Sequence, residues 1–241
     1  MLSILKSECY KLLKSKIILL VLVIPFIILP IGMIDSLDLE DLNQWYSKLI
    51  TINLSYGLLV LPLITGVFAG IICRYEHQAG GWKQLLTLPV TRGRIYCAKY
   101  IVLVLLLLVM QILYPGSVYL IGIIEGITDP FPMDIVWKIT FGGWIATFPL
   151  IALQLWMSTV FKSFAAPFAV NVIFTLPTLL IINSEKFGPY YPWAQPFLMM
   201  NIGGNIEELL FIPLEQLLIV VGGSFIVFFI SGYIYFQRKT I

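Results

Sequence analysis

The residues that most often carry chemistry are scarce in this chain and are not grouped for catalysis. His77 is the only histidine and stands beside Glu76, so a metal site built from several histidines is excluded. Cys9, Cys73 and Cys97 have no CxxC spacing, which favours small apolar fillers over a metal centre. A proton-linked role for His77 stays open, although a structural or solvated histidine is the commoner use.

Sequence motifs for catalysis and nucleotide binding are missing as well. The sequence contains no GxxxxGK[ST], HExxH or GxSxG, so it does not bind ATP through a P-loop. The apolar stretches hold neutral polar residues instead of the buried carboxylates of a proton- or sodium-driven carrier. Such residues more often join helices by hydrogen bonds than line a path, and here they are Asn53, Gln111, Gln154, Asn171 and Thr175. The energy for any transport is therefore expected from another polypeptide.

The composition defines the class of protein. Of 241 residues, 59% are hydrophobic and 12% are charged, about half the charged fraction of a soluble domain. The mean hydropathy is +0.95. A chain this apolar is a polytopic helical membrane protein, because backbone polar groups in lipid must be satisfied within helices.

The hydrophobic pattern predicts an all-α membrane protein with six transmembrane helices in one domain over 1–241. Residues 1–16 alternate apolar side chains with lysines, which predicts an amphipathic helix at the inner interface. A segment rich in proline and aromatics, 183–212, predicts short or re-entrant helices at the outer surface; a plain aromatic belt with Tyr190, Tyr191 and Trp193 at headgroup depth is the alternative. Prolines should kink the first span and interrupt the third at Pro115. The spans are expected at 17–34, 49–73, 100–124, 139–160, 164–182 and 213–236.

Charge is distributed unevenly between the two ends of these spans. With both termini in the cytoplasm, the inner segments hold 12 of the 15 basic residues and 2 of the 13 acidic ones. Lys and Arg are retained on the cytoplasmic side, so this asymmetry predicts the orientation. The acidic outer face could attract a cationic ligand, although ordinary topology also explains it.

One sizeable cytoplasmic loop is predicted, at 74–99, with the sequence RYEHQAGGWKQLLTLPVTRGRIYCAK. Trp82, Leu85 and Leu86 recur at i, i+3 and i+4, which gives a short helix one apolar face. Pro89 ends that helix, and Thr91 can cap the next one. A short apolar helix in the cytoplasm should lie on the bilayer or insert into a groove on a partner.

From Glu76 through GGWKQLLTLPVTRGRIYCAKY, this loop resembles that of ABC-2-type transporter permeases. More narrowly, it resembles the small permeases of lantibiotic self-immunity and bacitracin-type resistance exporters. The opening LKSECYKLLKSK, with Glu8 and Lys11, is similar to their N-terminal segment. The inner turn at 161–163 is as brief as in those relatives and offers little second contact for an ATPase.

The resemblance implies a non-catalytic permease subunit of the bacterial cytoplasmic membrane. Two copies of an ABC ATPase would bind ATP and Mg²⁺, so this chain needs no cofactor, and a second permease, identical or homologous, would complete the path. Membrane lipid and a cationic antimicrobial peptide are the other expected partners, and nucleic acid is not one. The residues implied in ATPase coupling are Glu76, Gly81, Trp82, Lys83, Leu85, Leu86, Arg92 and Arg94. The candidate outer gate is Tyr190, Tyr191, Trp193 and Phe197.

Three other readings remain open. A membrane scaffold or sensor could use the 74–99 loop to bind a partner without transporting anything. An ABC-2 exporter could carry a different lipophilic substrate. An intramembrane enzyme would need convergent His, Asp, Ser or Lys groups at membrane depth, and the sequence offers none.

Overall fold

A computed structural model describes residues 2–15, 17–33, 44–77, 90–184, 186–201 and 213–239. In these ranges the chain folds into apolar helices that pack against one another. The described ranges contain helices and turns but no strand. The helices are α1 Leu2–Leu13, α2 Ile17–Val23, α3 Ile28–Gly32, α4 Gln44–Ser55, α5 Leu61–His77, α6 Arg92–Glu125, α7 Met133–Ala146, α8 Phe148–Val160, α9 Ala165–Thr175, α10 Thr178–Ile181, α11 Gln195–Met200 and α12 Leu214–Arg238. A 3₁₀ turn, Ile24–Ile27, joins α2 to α3, and a π-helical turn, Tyr56–Val60, joins α4 to α5.

Within the described ranges, four helical stretches are long and apolar enough to cross a membrane. They are Gln44–His77, Arg92–Glu125, Met133–Val160 and Leu214–Arg238. A fifth is possible if Ser3–Leu13 and Ile17–Gly32, which meet at 74°, form one broken span. Ala165–Ile181 is apolar but shorter. The all-α membrane class is confirmed, whereas a count of six spans is not established.

Prolines break some helices and not others. Pro25 lies in the 3₁₀ turn that interrupts the first apolar stretch, as predicted. The prediction that Pro115 interrupts the third span is wrong, because α6 runs unbroken through it. Membrane helices tolerate proline when neighbouring helices pack around it, and both Tyr114 and Pro115 are buried here.

Small residues let α5 approach α9 closely. A methyl group on Gly66 would lie 2.3 Å from Asn171 Nδ2, and one on Gly70 would lie 2.8 Å from the Phe164 ring. Close backbone approach of this kind is how membrane helices gain packing without a hydrophobic drive between them.

Candidate coupling site at the predicted cytoplasmic end

Four charged side chains from three helices meet at the end of the bundle where the 74–99 loop begins and ends. Lys99 Nζ of α6 lies 2.9 Å from a carboxylate oxygen of Glu8 in α1 and 3.2 Å from Glu76 Oε1 in α5. Lys11 Nζ lies 2.9 Å from Glu8 and 2.8 Å from Glu76. We call Glu8, Lys11, Glu76 and Lys99 the charge cluster. Its two cations and two carboxylates neutralise each other.

Three of the four members of the charge cluster are buried, whereas the Lys11 side chain is 39% exposed. The exposed fraction of the residue is 4% for Glu8, 5% for Glu76 and 1% for Lys99. Buried charges are tolerated only when they are paired and hydrogen-bonded, which is the arrangement here. Glu8 and Lys11 are three residues apart and therefore share one face of α1.

This pairing determines the ionisation of Glu8 and Lys11 in α1. Burial raises the pKa of Glu8, but attraction and hydrogen bonds from Lys99 and Lys11 outweigh it, so the pKa stays below its usual value of 4.5. Burial lowers the pKa of Lys11, but hydrogen bonds to Glu76 and Glu8 outweigh it, so that pKa lies above 10.5. Both groups are therefore charged at neutral pH.

Two more cations, and the ring of His77, contact helix C-terminal carbonyls at this end. Arg92 Nη1 donates to the carbonyls of Gln237, at 3.2 Å, and Lys239, at 2.5 Å, where α12 ends. Lys239 Nζ donates to the Thr159 carbonyl at the end of α8. A ring nitrogen of His77 lies 3.0 Å from the neighbouring Ser158 carbonyl. Cations near helix C-termini satisfy otherwise unbonded carbonyls and suit the helix dipole.

The predicted ATPase-coupling residues therefore fall into three groups. Glu76 is buried in the charge cluster, and the half-buried Arg92 bonds the end of α12, whereas Arg94 is exposed. The helix α6 begins at Arg92, directly after Thr91, as predicted, although Thr91 makes no side-chain capping bond. Gly81, Trp82, Lys83, Leu85 and Leu86 lie outside the described residues.

Outward-facing charge at this end is cationic throughout the described ranges. Both acids there, Glu8 and Glu76, are buried in the charge cluster. The exposed charged residues are Lys6, Lys14, Arg74, Arg94, Lys162 and Arg238. The described residues at this end therefore expose basic side chains and no acidic ones.

At the opposite end, the segment predicted as an outer gate is packed inside the bundle. Trp193 and Phe197 are each 6% exposed, and the whole of α11 is buried against its neighbours. Tyr191 is partly exposed, and its hydroxyl donates to the Phe174 carbonyl at 2.5 Å. Tyr190 is 61% exposed. A belt of three surface aromatics is therefore not what this segment forms, because Trp193 has a polar partner in the interior.

That partner is Asn171, which joins four segments of the chain. Its Oδ1 accepts hydrogen bonds from Trp193 Nε1 and Gln154 Nε2, each at 2.7 Å. Its Nδ2 donates to the Pro62 carbonyl at 2.9 Å. The absence of a side chain at Gly66 makes the approach possible. The sequence-based expectation that the neutral polar residues join helices is confirmed here.

A second polar junction lies at the π-helical turn. Tyr114 Oη donates to Asn53 Oδ1 at 2.6 Å, and Asn53 Nδ2 donates to the Met200 carbonyl at 3.3 Å. A methyl group on Gly57 would lie 2.9 Å from the Phe197 Cα atom. The buried segment containing α11 is thus fixed to α4 by a hydrogen bond and packs closely on the π-helical turn at Gly57.

Sequence reasoning missed the burial of Lys99, which it placed at the end of the cytoplasmic loop. The available indication was helical phase, since Lys99 lies seven residues after Arg92 and one before Tyr100 within a continuous apolar pattern. Its partners lie 91 and 23 positions away, and no local pattern identifies such pairings. Among the described residues, no group of His, Cys, Asp and Glu could hold a metal ion.

Apolar helices long enough to cross a membrane, with basic side chains exposed at one end, define an integral membrane protein. A family model for ABC-2 family transporter proteins matches residues 4–178. The chain therefore belongs to the ABC-2 family of transporter proteins, and its resemblance to ABC-2 permeases is confirmed.

One curated relative shows how far the similarity extends. The chain is 21% identical over 192 residues to the bacitracin transport permease protein BCRB of Bacillus licheniformis, covering 78% of this chain and 89% of that protein. The chain is thus a transmembrane transport component of the kind that works with an ABC ATPase.

Proposed function

We propose that this chain is half of an ATP-driven exporter in a bacterial cytoplasmic membrane, with both termini in the cytoplasm. An ATPase subunit docks on the short helix around Gly81–Leu86, using Trp82, Leu85 and Leu86 as its apolar contact. Two ATPase copies and a second permease, identical or homologous, complete the assembly. ATP and Mg²⁺ bind to the ATPase subunits.

The observation that carries this proposal is the charge cluster. The docking loop leaves the bundle after Glu76 in α5 and returns through Lys99 in α6, and both residues are ion-paired to α1. A displacement of the loop therefore moves α1, α5 and α6 together instead of bending one of them. Buried ion pairs resist separation, because parting them leaves uncompensated charge in a dry interior.

Export also needs an opening at the other end, and the segment containing Trp193 and Phe197 supplies it in this proposal. It is bonded to α5 and α9 through Asn171 and to α4 through Asn53. Movement of α5, driven from the cytoplasmic end, would reach both junctions. Tyr190 and Tyr191 lie at the rim of this segment and would meet the cargo first.

The cargo we propose is a cationic amphipathic antimicrobial peptide, as in lantibiotic self-immunity. The acidic excess at the predicted outer end favours a cation. The similar permease of Bacillus licheniformis is named for the transport of bacitracin. Cells with and without the complete transporter should differ in survival in nisin-type lantibiotics and in bacitracin. Equal survival in both would remove this cargo class.

The docking role is tested by co-purifying the chain with its ATPase. Trp82→Asp and Leu85→Asp should each abolish co-purification and the stimulation of ATP hydrolysis. Lys162→Asp, which alters an exposed residue in the short turn before α9, is the matched control and should leave both unchanged. An intact complex in the two loop variants would refute the docking site, and a stable complex that never stimulates ATP hydrolysis would favour a scaffold or sensor.

A further inference from the structure

Residues 9–13 of α1 and 102–109 of α6 line an apolar groove on the side of the bundle. The proposed coupling does not use this groove. Its volume is about 190 Å³. From α1 it is lined by Cys9, Leu12 and Leu13, and from α6 by Val102, Leu105 and Val109. Leu13, Leu105 and Val109 are 67%, 46% and 47% exposed, so the groove opens to the outside of the bundle.

The direction of the groove suits a hydrocarbon chain. Val102 and Val109 are seven residues apart, so the α6 wall extends about 10 Å along the helix axis. The stretches on either side of residues 14–16 meet at 74°, and α2 adds Ile18 to the wall at that corner. The result is a slot that follows a membrane-spanning helix and ends beneath a helix lying across it. A slot lined only by apolar side chains does not hold water well.

The charge around the mouth of the groove indicates what kind of lipid would enter. Lys6 is exposed and lies on the same face of α1 as Cys9 and Leu13, three and seven residues further on. Glu8, the acid on this helix, is buried and neutralised by Lys99 and Lys11. The mouth of the groove therefore carries positive charge without a competing exposed carboxylate on α1. Basic side chains at a membrane surface attract anionic headgroups.

We propose that this groove binds one acyl chain of an anionic glycerophospholipid, with the headgroup at Lys6. The groove begins next to the charge cluster, since Cys9 follows Glu8 and Val102 lies three residues after Lys99. A bound lipid would fill the space between α1 and α6 and hold the two helices at their present separation. The lining of this groove shares no residue with the proposed ATPase contact or with the segment containing Trp193 and Phe197.

Native mass spectrometry of the purified full-length chain tests the site, with dioleoyl phosphatidylglycerol and dioleoyl phosphatidylcholine as probes. The wild type should retain one phosphatidylglycerol at concentrations where phosphatidylcholine is lost. Val109→Trp fills the groove and should abolish retention. Ile112→Trp is the matched control, because Ile112 is equally exposed on α6, at 47%, but lies outside the groove; its retention should equal that of the wild type.

The headgroup contact has its own test. Lys6→Gln should weaken phosphatidylglycerol binding about fivefold, the effect of one basic side chain near an anionic surface. Lys162→Gln removes another exposed cation at the same end and should change nothing. Equal retention of the two lipids by the wild type, or full retention by Val109→Trp, would overturn the proposal. A third outcome would also overturn it: the ATPase displaces the lipid, and Val109→Trp prevents the ATPase from binding. The groove would then be a contact for the ATPase and not a lipid site.

Discussion

Lys99 Nζ lies 2.9 Å from a carboxylate oxygen of Glu8, a residue 91 positions earlier in the chain. The two residues belong to α6 and α1, and both are buried. This contact fixes the N-terminal helix to the bundle. It also sets the first prediction, because a buried ion pair is costly to break from one side.

Lys99→Met should destabilise the protein by about 3–5 kcal/mol, since it leaves two buried carboxylates with Lys11 as their remaining cation in the charge cluster. Unfolding of the purified protein in mixed detergent micelles measures the effect. The double variant Glu8→Gln/Lys99→Met should recover part of the loss, because it removes a carboxylate as well as its cation. Lys162→Met, at an exposed position, should shift stability by less than about 0.5 kcal/mol. If the losses of stability caused by Glu8→Gln and by Lys99→Met simply added in the double variant, the pairing would be contradicted.

Stability should depend on pH through the same cluster. The folded-state pKa of Glu8 lies below its usual value of 4.5, so its contribution is present at neutral pH and is lost as the pH falls from about 4.5 through the folded-state value. The folded-state pKa of Lys11 lies above 10.5, so its contribution is complete below 10.5 and is lost as the pH rises through the folded-state value.

The measurement for this second prediction is the difference in unfolding midpoint between the wild type and Glu8→Gln across pH. That difference should be constant from about pH 6 to 9 and should disappear in acid. A difference that persisted undiminished at pH 2 would show that Glu8 stabilises α1 by packing and not by charge. Lys11→Met supplies the complementary test at alkaline pH.

Sequence patterns predicted the class of fold well, because lipid imposes helices and the apolar stretches are long. They predicted the start of α6 at Arg92 and the helix-joining role of Asn171 correctly, although the side-chain cap expected from Thr91 does not form. Pro115 does not interrupt α6, although proline usually breaks a helix, because tertiary contacts stabilise the helix around it. The burial of Lys99 and Trp193 depends on partners far along the chain, and a single sequence carries no record of those contacts.

Asn171→Leu should destabilise the protein by about 1–3 kcal/mol, because it leaves the buried Trp193 Nε1 and Gln154 Nε2 donors without the oxygen they share. Asn183→Leu is the matched control: Asn183 is exposed and bonds only the Leu179 carbonyl one turn earlier. Unfolding midpoints of the two variants should differ clearly. In addition, the near-ultraviolet circular dichroism of tryptophan should change in the first variant. Equal midpoints for both would show that the junction at Asn171 contributes nothing.

Two glycines of α6 should respond in opposite directions to the same substitution. A methyl group on Gly122 would lie 1.9 Å from the Trp45 ring, whose Nε1 donates to the Asp129 carbonyl at 2.9 Å. Gly122→Ala should therefore cost about 1–3 kcal/mol through overpacking. Gly116 has open space around it, and Gly116→Ala should stabilise α6 by about 0.5–1 kcal/mol. Thermal unfolding of both variants measures the two effects. If Gly122→Ala left the stability unchanged, Trp45 would be free to move aside.

The charge cluster fixes α5 and α6 to α1 at the end of the bundle where the 74–99 loop departs and returns. We infer that residues 78–89 can be exchanged without disturbing that junction. A chimera that carries the corresponding residues of another family member in place of 78–89 should retain the same membrane bundle. If the loop carries the ATPase contact, as proposed, this chimera should recruit the other member's ATPase while it continues to handle its original cargo.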